Sequence, residues 1–450
     1  MMVYLVYFNM FRAFDIVNNP LNARANAFED RMIRGSIVAR NGEVLAETVV
    51  HEDESQMRNY PQGSVFAHVI GYSSPSFGRM GLEYLENPAL LRSNAPFLEQ
   101  FLNELHGNKN IGDTVVTTLD ADLQRIAYNA LGDNNGAIVV LEASTGKILA
   151  WVSKPTFDPN GIEWAWPGLN QDEENSPLLN RVTQGSYAPG STFKAVTSLA
   201  YMRQDANFAD FRYDCGGVVS VDGMRIACFN HMAHGHQDLR LGFANSCNGA
   251  YGMVGSMLDP NQFRSTAEDL LFNQELPSLL PYTHSSFRLN QDSGIAERMM
   301  TAIGQGYTMT SPYHMALITS AIANGGVLME PYLVDTVTNH TGTVIHRNMP
   351  IIYDRIMSIE EAAVLRDDMR AVVTEGTGTQ LAGLPVTMAG KTGTAEISSV
   401  DNDRSHSWFI GFTNIDNPEL VISIIIEGSD GTDGARAVPI VHQIFSAYYQ

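Results

Sequence analysis

The stretch AIVVLEASTGKILAWVS, residues 137–153, decides the fold. Residues 137–143 form an apolar run interrupted by one acid, the pattern of a strand covered on both faces. Ser144-Thr145-Gly146-Lys147 supplies turn residues, and 148–153 returns as a second strand. Strands resume late in the chain, at 386–397 around Lys391-Thr392-Gly393, at 407–414 and at 420–427. A long helix-rich section broken by Gly and Pro lies between, from about 160 to 385, and 435–449 closes the chain with helical spacing. Strands early and late imply one sheet built from both ends of a domain. Hairpin-length loops argue for antiparallel order. The expectation is an α+β domain over about residues 115–450, with a five-stranded antiparallel sheet flanked by helices and an inserted helical subdomain.

Towards the N-terminus the texture changes. Residues 34–50 are two short alternating runs around Asn41-Gly42, a pair suited to a type I′ hairpin turn. Residues 61–86 are rich in Gly, Pro and Ser and read as irregular, and 88–106 have helical spacing. Without a long buried run, this part reads as a small accessory domain. The first eleven residues are mostly apolar and aromatic, and Arg12 and Asp15 end that run. About 20 apolar residues are needed to span a bilayer, and no small-residue cleavage site follows. Two readings fit: an amphipathic surface helix, or the outer end of a membrane anchor. The interfacial preference of tyrosine favours the anchor, with Tyr4 and Tyr7 at that level.

Composition bounds the function. The 450 residues suggest two or three domains, and 44% hydrophobic with 17% charged residues is a globular composition. With 49 acidic against 28 basic residues the net charge is −21, so no phosphate-neutralising patch is on offer and nucleic acid is excluded as a partner.

The chemistry begins at Tyr187-Ala188-Pro189-Gly190-Ser191-Thr192-Phe193-Lys194. Pro-Gly forces a turn, and Ser191 then opens a helix in which Lys194 shares its face. A serine hydroxyl needs a base, and a lysine serves only if burial or a neighbouring cation lowers its pKa. A helix N-terminus also offers N–H groups for a developing oxyanion. The bland alternative is an N-capping serine and a surface lysine. The spacing alone is weak, because Ser144 and Lys147 repeat it in a hairpin turn. Two further motifs each occur once: Ser246-Cys247-Asn248, and Lys391-Thr392-Gly393 followed by Thr394. The second reads as a strand that offers a cation and a hydroxyl suited to a carboxylate, with Gly393 permitting close backbone approach.

This trio resembles the motifs of class B penicillin-binding proteins, the monofunctional peptidoglycan D,D-transpeptidases of bacterial cell-wall synthesis. The similarity covers nearly the whole chain, including Thr117–Gln124, Gly136–Asn160, Asn180–Lys194, Gly304-Gln305-Gly306, Ala323–Gly326, Gly376–Gly378 and Trp408–Gly411. Arg34-Gly35-Ser36-Ile37, Arg40-Asn41-Gly42 and Gly81-Leu82-Glu83 resemble the family's pedestal, of the short kind in the penicillin-binding protein A group. The resemblance implies the fold shared by penicillin-binding transpeptidases and serine β-lactamases. It implies a remnant of a membrane anchor at 1–15, a dimerisation-type pedestal at 16–115 and a transpeptidase domain at 116–450. It implies Ser191 as the nucleophile that takes an acyl group from a stem peptide, and Lys194 as its base. Ser246 would relay the proton to the leaving amine, and Asn248 would hold Lys194 or the substrate amide. Lys391 and Thr392, with Gly393 and Thr394, would bind the substrate carboxylate, and the N–H groups of Ser191 and Thr394 would form an oxyanion hole. β-Lactams would acylate Ser191. No cofactor is required for that chemistry. The implied partners are stem peptides and a SEDS-type glycosyltransferase, and the implied location is the cell membrane, by a single-pass anchor with the catalytic domain on the outer face. A serine β-lactamase or β-lactam sensor shares the trio, and a non-catalytic scaffold is the third reading. Gln305 reads as a turn residue in preference to a catalytic one, and Trp408 either lines the cleft or fills the core.

The three cysteines lie in one stretch, Cys215-x12-Cys228-x5-His234-x12-Cys247. Three thiols and an imidazole suit a closed tetrahedral zinc site, with His231 and His236 as competitors for the fourth place. Some elongation-type members of the family carry zinc in this region. The alternatives are a Cys215–Cys228 disulfide and three buried thiols.

Overall fold

A computed structural model describes residues 32–397, 404–430 and 436–450. These residues divide into two units. The first takes the described residues up to Arg125 together with Pro155–Leu178 and Tyr332–Met349. It carries a six-stranded sheet in the order Val344–Arg347, Val334–Thr338, Thr114–Thr117, Ile37–Val38, Val44–Val50, Gln56–Asn59. Glu83, fully buried, ties this unit together: its carboxylate accepts from Arg34 Nε and Arg58 Nε, each at 2.7 Å, and from Tyr60 Oη at 3.3 Å. Burial alone would raise the Glu83 carboxyl, and Arg58 and Arg34 overcome that and hold it below its ordinary value. The 34–50 hairpin is present, but only Gly42 takes a positive φ, 84°. Gly42 N donates to Ala39 O at 2.9 Å, so the turn is a longer one ending in a left-handed glycine instead of the expected two-residue form. The spacing read over 88–106 resolves into Asn87–Leu90 and Phe97–His106, parted where Pro96 bars a continuous helix.

The expected single-pass membrane anchor is corrected. Among the described residues no helix is long and apolar enough to cross a membrane. Residues 1–15, on which that expectation rested, lie outside the described residues, and their apolar run is about half of what a span needs.

The second unit comprises Ile126–Lys154, Leu179–Pro331 and Pro350–Gln450. Its main elements are β1 (Gly136–Glu142), β2 (Ile148–Lys154), α1 (Lys194–Gln204), α2 (Leu239–Ala244), α3 (Asn248–Met257), α4 (Pro312–Ala323), α5 (Ile359–Thr374), β3 (Met388–Glu396), β4 (Arg404–Thr413), β5 (Leu420–Asp430) and α6 (Ala437–Tyr448). The five strands form one antiparallel sheet in the order β2-β1-β5-β4-β3, as the strand pattern predicts. The early pair joins the late trio between β1 and β5, from Glu142↔Leu420 to Gly136↔Ile426. Helix α4 packs against β1 and β5, and all twelve of its residues are buried, which explains a sequence apolar on every face. Trp408 on β4 is fully buried and donates from Nε1 to Ala188 O at 3.1 Å, so it fills the core.

The inserted section is not purely helical. Two small ribbons, Tyr213–Cys215 with Gly235–Gln237 and Val218–Val221 with Met224–Ala227, lie within it. Strands of three or four residues give too short a pattern for periodicity to reveal.

Candidate active site

Three backbone segments meet at Gly190. Pro189-Gly190 leads into a 3₁₀ turn, Gly190–Phe193, which runs straight into α1. Side chains at i and i+3 eclipse in a 3₁₀ turn, so this local form aligns Ser191 with Lys194 more closely than an α-helix would. Gly190 has φ 53°, and a Cβ there would fall 2.3 Å from Thr394 O on β3. Gly304 has φ 78°, and its Cβ would fall 1.8 Å from Gly190 O, while Gly190 N donates to Gly304 O at 2.9 Å. Only glycine fits at either place. Gln305 sits in the turn between Gly304 and Gly306, its N–H donating to Met300 O at 3.0 Å.

Lys194 is completely buried. Its Nζ donates to Ser246 O at 2.7 Å and to Asn248 Oδ1 at 2.9 Å, with Ser246 Oγ at 3.3 Å. Two residues of one motif, 52 and 54 positions downstream of Lys194, thus converge on one amine. Ser246 holds a left-handed φ of 53°, rare for a residue with a side chain, and this aims its carbonyl at the lysine. Asn248 starts α3 and donates its amide nitrogen to Ala227 O at 3.1 Å, which turns Oδ1 towards Nζ. Burial lowers the Lys194 pKa to about 7, against an opposing pull from Cys247 and Cys228. A neutral amine has two protons to donate. With Ser246 O and Asn248 Oδ1 accepting them, the lone pair remains for a third partner.

β3 brings up the second cation. Lys391 is also fully buried, its Nζ donating to Thr392 O at 3.0 Å. Burial, reinforced by the charge of Lys194, puts its pKa well below the ordinary value. The space at Gly393 is taken by Thr192, whose Cγ2 would lie 2.9 Å from an added Cβ. Sequence reading gave no role to two residues here. Thr377 Oγ1 lies 2.6 Å from Thr392 Oγ1. Tyr251 puts its ring 5.4 Å from Lys194 Nζ and its hydroxyl 2.6 Å from Ser198 Oγ. Thr377 lies in the Gly376–Gly378 segment that carries part of the resemblance, a hydroxyl residue set between two glycines.

The cysteines gather beside this site, since Cys247 separates Ser246 from Asn248. Cys215 Sγ lies 3.6 Å from Cys228 Sγ and 3.5 Å from His234 Nδ1, and Cys228 Sγ lies 3.8 Å from Cys247 Sγ. All four ligand atoms fall within 4.8 Å of one another. Sulfurs bound tetrahedrally to zinc at about 2.3 Å sit about 3.8 Å apart, so the donor set fits that ion. A disulfide needs about 2.05 Å, and the three cysteines are free thiols. Hydrogen bonding between Cys228 and Cys247 holds the Cys228 thiol below its ordinary value and pushes the Cys247 thiol up. His236 turns instead to Asp214, its Nδ1 against an Asp214 carboxylate oxygen at the exposed surface.

Comparison with known proteins places the chain as a whole. Residues 136–446 match the family described as the penicillin binding protein transpeptidase domain, and residues 34–115 match the penicillin binding protein A dimerisation domain. The peptidoglycan D,D-transpeptidase PbpA of Mycobacterium tuberculosis is 32% identical, over 98% of this chain and 94% of that protein. The imipenem acyl-enzyme complex of penicillin-binding protein A from M. tuberculosis superposes with a TM-score of 0.84 at 30% identity, covering 94% of this chain and all (100%) of that one. The D,D-transpeptidase domain of a peptidoglycan glycosyltransferase from Eggerthella lenta gives a TM-score of 0.82 at 31% identity, over 93% of this chain and 99% of that one. Fold and likeness along nearly the full length agree, and the chain belongs to the penicillin-binding protein transpeptidase family.

Proposed function

We propose that this protein is a serine-type peptidoglycan D,D-transpeptidase in which Ser191 carries the acyl group. The observation behind this is the buried Lys194 amine, lowered to about 7 and held by Ser246 O and Asn248 Oδ1, with the Ser246 hydroxyl at 3.3 Å. Ser191 Oγ gives its proton to Lys194 and bonds to the carbonyl carbon of the penultimate D-Ala. The C–N bond to the terminal D-Ala breaks, and that nitrogen takes a proton through the Ser246 hydroxyl. An amine of a second stem peptide then attacks the ester, forms the cross-link and returns Ser191 to its free form. The N–H groups of Ser191 and Thr394 stabilise the oxyanion, and loss of one such donor costs about 10²–10³-fold in rate. Lys391 and Thr392 receive the substrate carboxylate, whose charge favours protonation of Lys391 on arrival. Gly393, against which Thr192 packs, and Thr394 on the same strand complete that side of the cleft. A β-lactam enters by the same route.

The family's chemistry needs no cofactor. The Cys215, Cys228, His234 and Cys247 cluster supports a structural zinc ion as the finer reading, on the sulfur spacing given above. Zinc would fix the two small ribbons to the start of α3. Metal analysis should find one zinc per chain, and chelation should lower the melting temperature. Unchanged melting after complete chelation would remove the metal from the account. The family likeness also supports residues 16–115 as a pedestal for a SEDS-type glycosyltransferase, to be tested by co-purification of the two.

The deciding experiment incubates purified protein and Ser191→Ala with a fluorescent penicillin and follows the label over hours. Persistent label on the native chain alone is the expected result. Label that clears within seconds would favour a β-lactamase, and no label on folded protein would leave the scaffold reading.

A further inference from the structure

The loop Gly376-Thr377-Gly378 after α5 joins the two halves of the cleft. Thr377 N donates to Ala244 O at 3.1 Å, and a Cβ on Gly376 would fall 2.2 Å from the same oxygen. Ala244 ends α2, two residues before Ser246. At its other side the loop reaches β3, with Thr377 Oγ1 at 2.6 Å from Thr392 Oγ1. Thr377 is exposed, and Thr392 is only 7% exposed. A threonine hydroxyl has one proton and two lone pairs. To bind a carboxylate Thr392 must donate its proton to the ligand, and its oxygen then accepts from a donor behind it. Either hydroxyl can donate in the Thr377–Thr392 pair, so Thr377 is placed to be that donor, and a hydrogen-bonded chain of two hydroxyls strengthens the outer bond.

We propose that Thr377 is a positioning residue for carboxylate recognition: it donates to Thr392 Oγ1, fixes the Thr392 proton towards the cleft, and thereby selects substrates that end in a carboxylate. This rests on the transpeptidase reading of the same site. The alternative role is a structural brace between α2 and β3, carried by the backbone bond to Ala244.

Two substrates separate these roles: an N-acyl-D-alanyl thioester of thioglycolate, which ends in a carboxylate, and its carboxamide analogue. Thr377→Val keeps the shape and removes the hydroxyl, and Thr377→Ser restores it. The valine variant should raise KM for the carboxylate thioester about tenfold, with a smaller change in kcat, and leave the carboxamide unaffected. The serine variant should stay within about twofold of the parent on both. Equal losses on the two thioesters, a serine variant as poor as the valine one, or a valine variant with parental KM would each overturn the proposal. Hydrolysis of neither thioester by the parent protein would instead remove the transpeptidase reading, and this proposal with it.

Discussion

The state of Lys194 can be read from how fast a penicillin acylates Ser191 at different pH values. Only the neutral amine accepts the serine proton. With a pKa of about 7, roughly one molecule in eleven is neutral at pH 6 and ten in eleven at pH 8. The second-order acylation rate should therefore rise about tenfold between pH 6 and 8 and level off above pH 8. An ordinary lysine at 10.5 would give a hundredfold rise over the same interval, with no plateau before about pH 10. Asn248→Asp shifts the profile in a stated direction. It sets a negative charge where Oδ1 now lies, 2.9 Å from Nζ. Even at the dielectric constant of water that attraction is about 1.4 kcal/mol, so the rise should move at least about one pH unit to the alkaline side. The assay is quenched-flow labelling with a fluorescent penicillin from pH 5.5 to 9.5, read on denaturing gels. A rate that climbs tenfold per unit through pH 9.5, or an Asn248→Asp profile that does not move, would refute burial as the means of activating Lys194.

Three further outcomes follow from groups described above or beside them. Glu83→Gln leaves Arg34 and Arg58 buried without their counter-charge, and should cost about 3–5 kcal/mol of stability in urea unfolding, whereas under about 1 kcal/mol would show that the network is dispensable. Gly304→Ala drives a Cβ into Gly190 O, so penicillin labelling should slow by more than about tenfold, and normal labelling would mean that the turn relaxes freely. Asp368 on α5 is buried with Oδ2 lacking a partner, and burial raises its carboxyl to about 8. The unfolded chain releases this proton near pH 4 and the folded chain near 8, so the group loses stability as pH climbs through that window. Asp368→Asn should therefore melt higher than the parent, by a margin that grows from pH 5 to pH 8. A margin independent of pH would contradict the shift.

Much of this architecture is legible in the residues because it depends on local pattern. The apolar runs at 137–143 and 420–427 announce buried strands, and the serine–lysine interval places both side chains along one turn. What escaped depends on contacts made at a distance. The ribbons at 213–237 are too short to show a period. Tyr332–Met349 reads as part of the later domain, yet Val334–Thr338 pairs with Thr114–Thr117, and no local signal encodes such a partner. Thr377 gains meaning only from a hydroxyl 15 residues further on. The first residues misled for a plainer reason, since a short apolar run beside aromatics satisfies several environments equally well.

The join between β1 and β5 sets a timetable for biosynthesis. Residue 142 and its partner 420 are 278 positions apart (420 − 142). At about 5–20 residues per second, β1 leaves the ribosome roughly 14–56 seconds before the strand that pairs with its free edge exists. Throughout that interval a nascent chain displays AIVVL and ILAWV with unsatisfied edges, the surface on which misassembly begins. A message cut short anywhere before codon 420 yields a product that cannot close its sheet, so premature termination gives a chaperone client or an aggregate in place of a smaller folded protein.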